Sequence, residues 1–188
     1  PITSMAAVWL GISYSYQLLH WYRGLAPSGK GRPFLLFVAK SKRVCHVDDI
    51  RGRVTKDGIR IYEDADFAGM REAGRIAAVI LDDVGPLVQP GVMTAELDDF
   101  IRTEVVRHGA ISATIGYKGY QHASCISVNH VVCHGIPADK PLRKGDIVNI
   151  DVTVIKDGWH GDTSRMFLIG ETSIAAKRLC AITYEAMW

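Results

Sequence analysis

The sequence predicts an α+β domain, because two amphipathic helical patterns are followed by a group of strand patterns. The first helical pattern begins at Asp64 or Asp66, either of which can cap it, and its apolar stripe ends at Val84. The second has Thr94 as its predicted cap and ends at Gly109. Strands are predicted at 112–115, 124–128, 146–154 and 166–169, and their order favours an antiparallel sheet.

The chain divides at about residue 57 into two regions of different composition. Residues 1–57 are interpreted as an N-terminal extension that is poorly ordered or foreign to the domain. Its apolar run at 5–22 has no basic residues before it and barely reaches the roughly 18 residues of a membrane span, so no membrane role is expected. Residues 58–188 are predicted to form one lobe, whose last helical pattern starts near Ser173 and is cut off; we expect a fragment of a longer protein.

Composition limits the function classes. The chain has 188 residues, of which 48% are hydrophobic, which is typical of a globular protein. A net charge of +2, from 22 basic and 20 acidic residues, gives no nucleic-acid footprint, so no nucleic acid is expected as a partner. The four cysteines form no CxxC pair, and a reducing compartment, the cytoplasm, is the simplest interpretation.

A strictly alternating pattern at 147–154 predicts a strand with one apolar and one polar face. Asp157-Gly158 follows it and is a strong signal for a two-residue hairpin turn. With such a turn, Asp151 faces Ser164, and Asp162 lies one diagonal step away on the same sheet face. Diagonal neighbours have Cβ atoms roughly 7 Å apart, which two metal ions bridged by carboxylate oxygens can span. A three-residue loop without a bulge would instead send the two aspartates to opposite faces.

The alternative to a metal site is a pair of solvated aspartates on an exposed sheet face. Two arguments favour metal. Asp is disfavoured inside strands, and like charges that face each other across strands repel unless a cation or a proton compensates them. Such a carboxylate-rich site favours hard or borderline divalent ions such as Mn²⁺, whereas softer metals need further imidazole ligands.

A histidine loop and an aromatic loop supply further candidate residues. His134 lies between an apolar strand end and a Gly/Pro turn, where it either caps the turn or serves a site. The glycine-hinged segment 116–120 holds two tyrosines, which form either ordinary loop packing or the wall of an apolar pocket. Cys125 and Cys133 are predicted to be small buried side chains rather than nucleophiles. Three other histidines are expected at the surface: His122, His130 and His160.

Four segments together resemble the motifs of type I methionine aminopeptidases, and the similarity covers residues 58–188. They are 70–75, Cys133–Pro137, Asn149–Thr153 and His160–Ser164. The resemblance implies the first half of a pita-bread fold, in which an antiparallel sheet follows two N-terminal helices. It also implies an enzyme that removes the initiator methionine from nascent polypeptides.

The same resemblance implies roles for individual residues. Asp151 and Asp162 would be ligands of two divalent metal ions, whether Co, Mn, Fe or Zn, and His134 would be a catalytic residue that contacts the substrate near the scissile peptide. The pocket for the methionine side chain would be lined by Tyr117, Tyr120, Cys125 and Thr114. A histidine and two glutamates that complete the family's metal site would lie beyond Trp188.

The implied partners are the N-termini of nascent polypeptides near the ribosome, and the complete enzyme is expected to be a cytoplasmic monomer. Two alternatives stay open at this point. One is a pita-bread binding module without peptidase activity, since a fold does not guarantee its chemistry. The other is a related metallopeptidase directed at proline-containing peptides, which pocket shape rather than metal ligands would distinguish.

Overall fold

A computed structural model of the chain describes residues 51–188. The apolar run predicted at 5–22, and most of the extension predicted over 1–57, lie outside the described residues. The described part begins with a short antiparallel pair, β1 (Arg53–Val54) and β2 (Arg60–Ile61). β2 follows the turn at Gly58.

The two predicted helices are present, but their N-termini differ in detail from the prediction. α1 spans Asp64–Val84 and is capped by Glu63, whose backbone N–H donates to the Asp66 carboxylate (3.0 Å). α2 spans Thr94–Arg107 and is preceded by Met93 as its cap residue. The Thr94 hydroxyl donates to the carbonyl of Ala138 (3.0 Å) rather than capping the helix, because a loop packs against it there. Gly109, with φ +62°, follows the end of α2 as predicted.

The main sheet has four strands: β3 (Ile111–Ser112), β4 (Ser124–Val128), β5 (Ile147–Lys156) and β6 (Trp159–Leu168). β6 pairs antiparallel with the whole of β5. β3 borders Val154 and Ile155, and β4 borders the stretch of β5 from Val148 to Val152, so both lie along the other edge of β5. β3 is shorter than predicted, because the chain turns at Thr114, whose carbonyl accepts from Tyr117.

Helices cover one face of this sheet. The apolar side chains of β5 that face the helices are fully buried, and the largest side chains of that core include Ile76, Ile80, Leu81, Leu97, Ile101, Val148, Ile150, Val152 and Val154. Burial of each such side chain stabilises the fold by about 1.5–3 kcal/mol. At Gly161 of β6 a Cβ atom would overlap the carbonyl of Ala73 in α1, so this glycine permits the close approach of sheet and helix. The observed architecture is therefore α+β, as predicted.

A third helix, α3 (Ile174–Met187), confirms the helical pattern predicted from Ser173, whose hydroxyl accepts from the N–H of Ala176 (3.2 Å). None of its residues is buried among the described residues, and Ile174 is 86% exposed. Within residues 51–188 no helix has the length and apolar character that a membrane crossing requires.

Candidate metal centre

The β5–β6 hairpin places two carboxylates on the uncovered face of the sheet. Asp157 (φ +49°) and Gly158 (φ +83°) both adopt positive φ, which is typical of a two-residue type I′ turn. Asp151 lies opposite Ser164 and Asp162 lies opposite Thr153. The predicted register is thus confirmed, and the two aspartates are diagonal neighbours. The Thr153 hydroxyl donates to Oδ1 of Asp162 (3.0 Å), which orients that carboxylate.

The surroundings of Asp151 disfavour its charged form. Burial raises the pKa of Asp151 to about 6, and the charge of Asp162 and a hydrogen bond with it add to this rise, whereas His134 acts in the opposite direction. Full ionisation of both groups is therefore costly unless positive charge or a proton offsets the repulsion. A pair of this kind has the electrostatic character of a cation site.

His134 lies close enough to Asp151 for its charge to lower the pKa of that carboxyl. Its loop is held on β4 by two hydrogen bonds, from Ile126 N–H to the Gly135 carbonyl (2.8 Å) and from Gly135 N–H to the Ser127 hydroxyl (3.0 Å). A Cβ atom at Gly135 would overlap the Ile126 carbonyl, so only glycine allows this approach. His134 itself is exposed and has a positive φ of 54°. The loop thus holds His134 where its charge reaches the Asp151 carboxyl.

Two of the four predicted pocket residues adjoin the carboxylates. Cys125 is buried and lies directly opposite Asp151 in the β4–β5 ladder. Burial raises the pKa of its thiol, so the side chain is neutral and apolar at neutral pH, as predicted. The Tyr120 hydroxyl donates to the Ser124 carbonyl (2.9 Å), and burial raises its pKa as well. Cys133, in contrast to the prediction, is exposed on the histidine loop.

The other two predicted pocket residues, Thr114 and Tyr117, lie in the loop between β3 and β4, which also holds Tyr120. The Thr114 hydroxyl donates to the His122 carbonyl (2.7 Å), and this bond links the beginning of the loop to its end. Tyr117 is 59% exposed, and the ammonium of Lys118 lies 5.4 Å from the centre of its ring. Asp151, Asp162, His134, Cys125 and Tyr120 therefore form one neighbourhood, with Thr114 and Tyr117 at its outer side.

Sequence reasoning missed Asp98, a buried carboxylate on α2. It accepts hydrogen bonds from the Ser124 N–H (2.8 Å) and the Ser124 hydroxyl (2.7 Å), and its second oxygen lies 3.2 Å from Nδ1 of His122. His122 is therefore partly buried rather than a free surface residue as predicted. Asp98 ties α2 to the start of β4, just before Cys125. The helical pattern of the sequence did not indicate a role for Asp98, because His122 and Ser124 lie more than twenty residues away along the chain.

A second group of ligand-type side chains was also missed. Donor atoms of Asp83, Glu104 and His108 lie within 4.8 Å of one another, between α1 and α2. These residues belong to the helical layer, on the opposite side of the sheet from Asp151 and Asp162.

Residues 68–188 match the model of metallopeptidase family M24. The chain belongs to this family. It is 54% identical over 129 residues to a methionine aminopeptidase of Rickettsia prowazekii, an alignment that covers 69% of this chain and 50% of that protein. It is also 54% identical over 132 residues to a methionine aminopeptidase of Escherichia coli K12, again covering 69% of this chain and 50% of the relative. The chain thus spans about half the length of these M24 relatives.

Solved structures of this M24 family agree with the fold. The crystal structure of the Rickettsia prowazekii methionine aminopeptidase matches with a TM-score of 0.68 and 53% identity over 69% of this chain and 52% of that one. A methionine aminopeptidase of Thermotoga maritima matches with a TM-score of 0.65 and 34% identity over 68% of this chain and 51% of the other. An X-Pro aminopeptidase of the same organism, at 19% identity and a TM-score of 0.57, shares the fold. The predicted pita-bread resemblance is confirmed.

Proposed function

We propose that this chain is the first half of a methionine aminopeptidase that removes the initiator methionine from nascent polypeptides. One observation carries the proposal: the hairpin sets Asp151 and Asp162 on one face, with Cys125 beside them, in a chain 54% identical to methionine aminopeptidases. The substrate of the whole protein would be the exposed N-terminus of a new polypeptide. Its place of action would be the cytoplasm, near the ribosome, and the complete enzyme would be a monomer.

The donor set fits a divalent metal centre. Asp151 and Asp162 offer carboxylate oxygens from diagonal positions, and burial, followed by the charge of Asp162, raises the pKa of Asp151. Asp151 and Asp162 would hold two divalent ions of the Co, Mn, Fe or Zn class, together with a histidine and two glutamates of the second half. When bound, such ions lower the pKa of a coordinated water and polarise a peptide carbonyl.

The neighbouring side chains would bind and orient the substrate. His134, which is exposed and whose charge reaches Asp151, would donate a hydrogen bond to the peptide near the scissile bond. Cys125 and Tyr120 would form the wall against the methionine side chain, since thioethers contact soft and aromatic groups favourably. Thr114 would keep the loop of Tyr117 and Tyr120 in place through its bond to the His122 carbonyl.

The test is the release of methionine from a Met-Ala-Ser peptide by the full-length protein, with metal content measured alongside. Asp151→Asn should abolish metal-dependent cleavage, because it removes a charged ligand. Asp157→Asn is the matched control: it makes the same chemical change in the same hairpin, but at an exposed turn position. Full activity in Asp151→Asn would contradict the proposal.

The same assay separates the two alternatives. A proline-directed peptidase would leave Met-Ala-Ser intact and cleave a peptide with proline in the second position. A binding module would cleave neither peptide, whatever metal is added. Both aspartates are retained on one face of the hairpin, and this favours the peptidase over the binding module.

A further inference from the structure

We infer that α1 and α2 carry a second divalent-metal site, formed by Asp83, Glu104 and His108. Their donor atoms all lie within 4.8 Å of one another, a spacing that one ion can bridge. Two carboxylates and one imidazole suit a borderline ion such as Zn²⁺ and leave a coordination position for water. This site is independent of the hairpin carboxylates and of the proposed peptidase function.

The position of the three residues in their helices favours a cation. Asp83 lies in the last turn of α1, Glu104 lies in the last turn of α2, and His108 is the C-cap of α2. Helix C-termini carry negative partial charge, so an acidic side chain there is unfavourable unless a cation compensates it. The last turn of α1 contains no basic residue of its own; Arg165 of β6 donates to the Leu81 carbonyl (3.4 Å) and pairs with Asp82 (2.8 Å). Among the described residues, the carboxylate of Asp83 makes no hydrogen bond or ion pair, so Arg165 serves its neighbours and not Asp83.

A surface cavity of about 500 Å³ gives solvent access to the three donors. Asp83, Glu104 and His108 line it, together with Phe100 and Arg107. The side chain of Glu104 is only 9% exposed, whereas Asp83 is exposed, so the cavity has a buried anionic base and an open anionic rim. A buried carboxylate of this kind requires positive charge nearby.

Arg107 is the side chain that an ion would have to displace from Glu104. Its Nη1 lies 3.4 Å from Oε1 of Glu104, and the Arg107 side chain is 75% exposed. Water screens an exposed guanidinium, so this ion pair is weak even though the carboxylate of Glu104 is buried. Lys156 lies beside the end of α2, where its ammonium donates to the Gly109 carbonyl (3.1 Å). A divalent ion would displace the Arg107 guanidinium and link the C-terminal ends of α1 and α2.

The test is a Zn²⁺ titration of the chain by isothermal calorimetry, in a variant with Asp151→Asn and Asp162→Asn that lacks the hairpin pair. One bound Zn²⁺ per chain is expected. Glu104→Gln and His108→Gln should each weaken binding by at least about tenfold. His130→Gln, a change at an exposed histidine outside the cluster, is the matched control and should leave the isotherm unchanged.

Arg107→Ala provides a test in which the expected result, tighter binding, cannot arise from misfolding. It removes the competing guanidinium from an exposed position, so Zn²⁺ affinity should rise. Absence of Zn²⁺ binding, or binding that Glu104→Gln and His108→Gln leave intact, would overturn the inference. If circular dichroism shows that those two variants are unfolded, Arg107→Ala decides: tighter binding supports the site, and unchanged or weaker binding rejects it.

Discussion

At the scale of single residues, the most informative group is Asp151. Its pKa rises to about 6 in the folded chain from an ordinary value of 3.8, so the folded state holds this proton more tightly than the unfolded state does. The stabilising contribution of the protonated group is therefore complete at low pH and is lost as the pH rises through about 6. When no metal is present, protonation of Asp151 removes a buried negative charge and its repulsion from Asp162.

This predicts how stability depends on pH. In a chelator, the free energy of unfolding of the wild-type chain should fall between pH 4 and 7 relative to that of Asp151→Asn, by about 2 kcal/mol after allowance for solvent screening. Urea unfolding of both proteins across that range measures the difference. Parallel stability curves would show that Asp151 does not titrate in this way. Asp157→Asn, in the exposed turn, should follow the wild type.

A second residue-scale prediction concerns Asp98. Oδ1 of Asp98 accepts both bonds from Ser124, and the amide oxygen of Asp98→Asn can keep them, but an NH2 group then replaces Oδ2, which faces Nδ1 of His122 (3.2 Å) and the Arg102 guanidinium (3.6 Å). The free energy of unfolding should fall by about 1–3 kcal/mol, because a buried charged acceptor with two partners is lost. Asp99→Asn, the same change at the adjacent exposed position, should cost under about 0.5 kcal/mol. Equal effects of the two variants would reject the assigned role.

At the scale of elements, β6 and α1 meet at Gly161. Gly161→Ala should lower the free energy of unfolding by about 1–3 kcal/mol, because the new methyl group overlaps the Ala73 carbonyl. Since Asp162 is the next residue, metal binding at the hairpin should weaken as well. Thermal unfolding and calorimetry measure the two effects. Ser164→Ala, at an exposed position of the same strand, is the control, and a comparably large loss there would indicate a general weakness of β6.

Elements also show what the sequence could predict. Local patterns were sufficient for the β5–β6 hairpin, because strict alternation and Asp157-Gly158 determine both the faces and the register. They were insufficient for the N-terminus of α2, where the Thr94 hydroxyl bonds to Ala138 instead of capping the helix. Asp98 and the group around Glu104 depend on partners in other elements, and no periodicity of a single element reveals those.

At the scale of the whole molecule, the core is complete without α3. No residue of α3 is buried among the described residues, so removal of residues 173–188 should change the free energy of unfolding by less than about 1 kcal/mol. Urea unfolding of the shortened chain, followed by the near-ultraviolet signal of Trp159 in the core, measures this. A large loss of stability would show that α3 packs on the domain in solution.

The two-residue turn between β5 and β6 predicts that this hairpin forms before the rest of the sheet. A loop this short closes at a small entropic cost, whereas β4 must be recruited across the long connection from Val128 to Ile147. Asp151 and Asp162 are thus brought together by the most local contacts of the sheet. We therefore expect the two aspartates to repel each other already when the hairpin forms, so that pH and divalent ions change the rate of folding as well as the occupancy of the finished site.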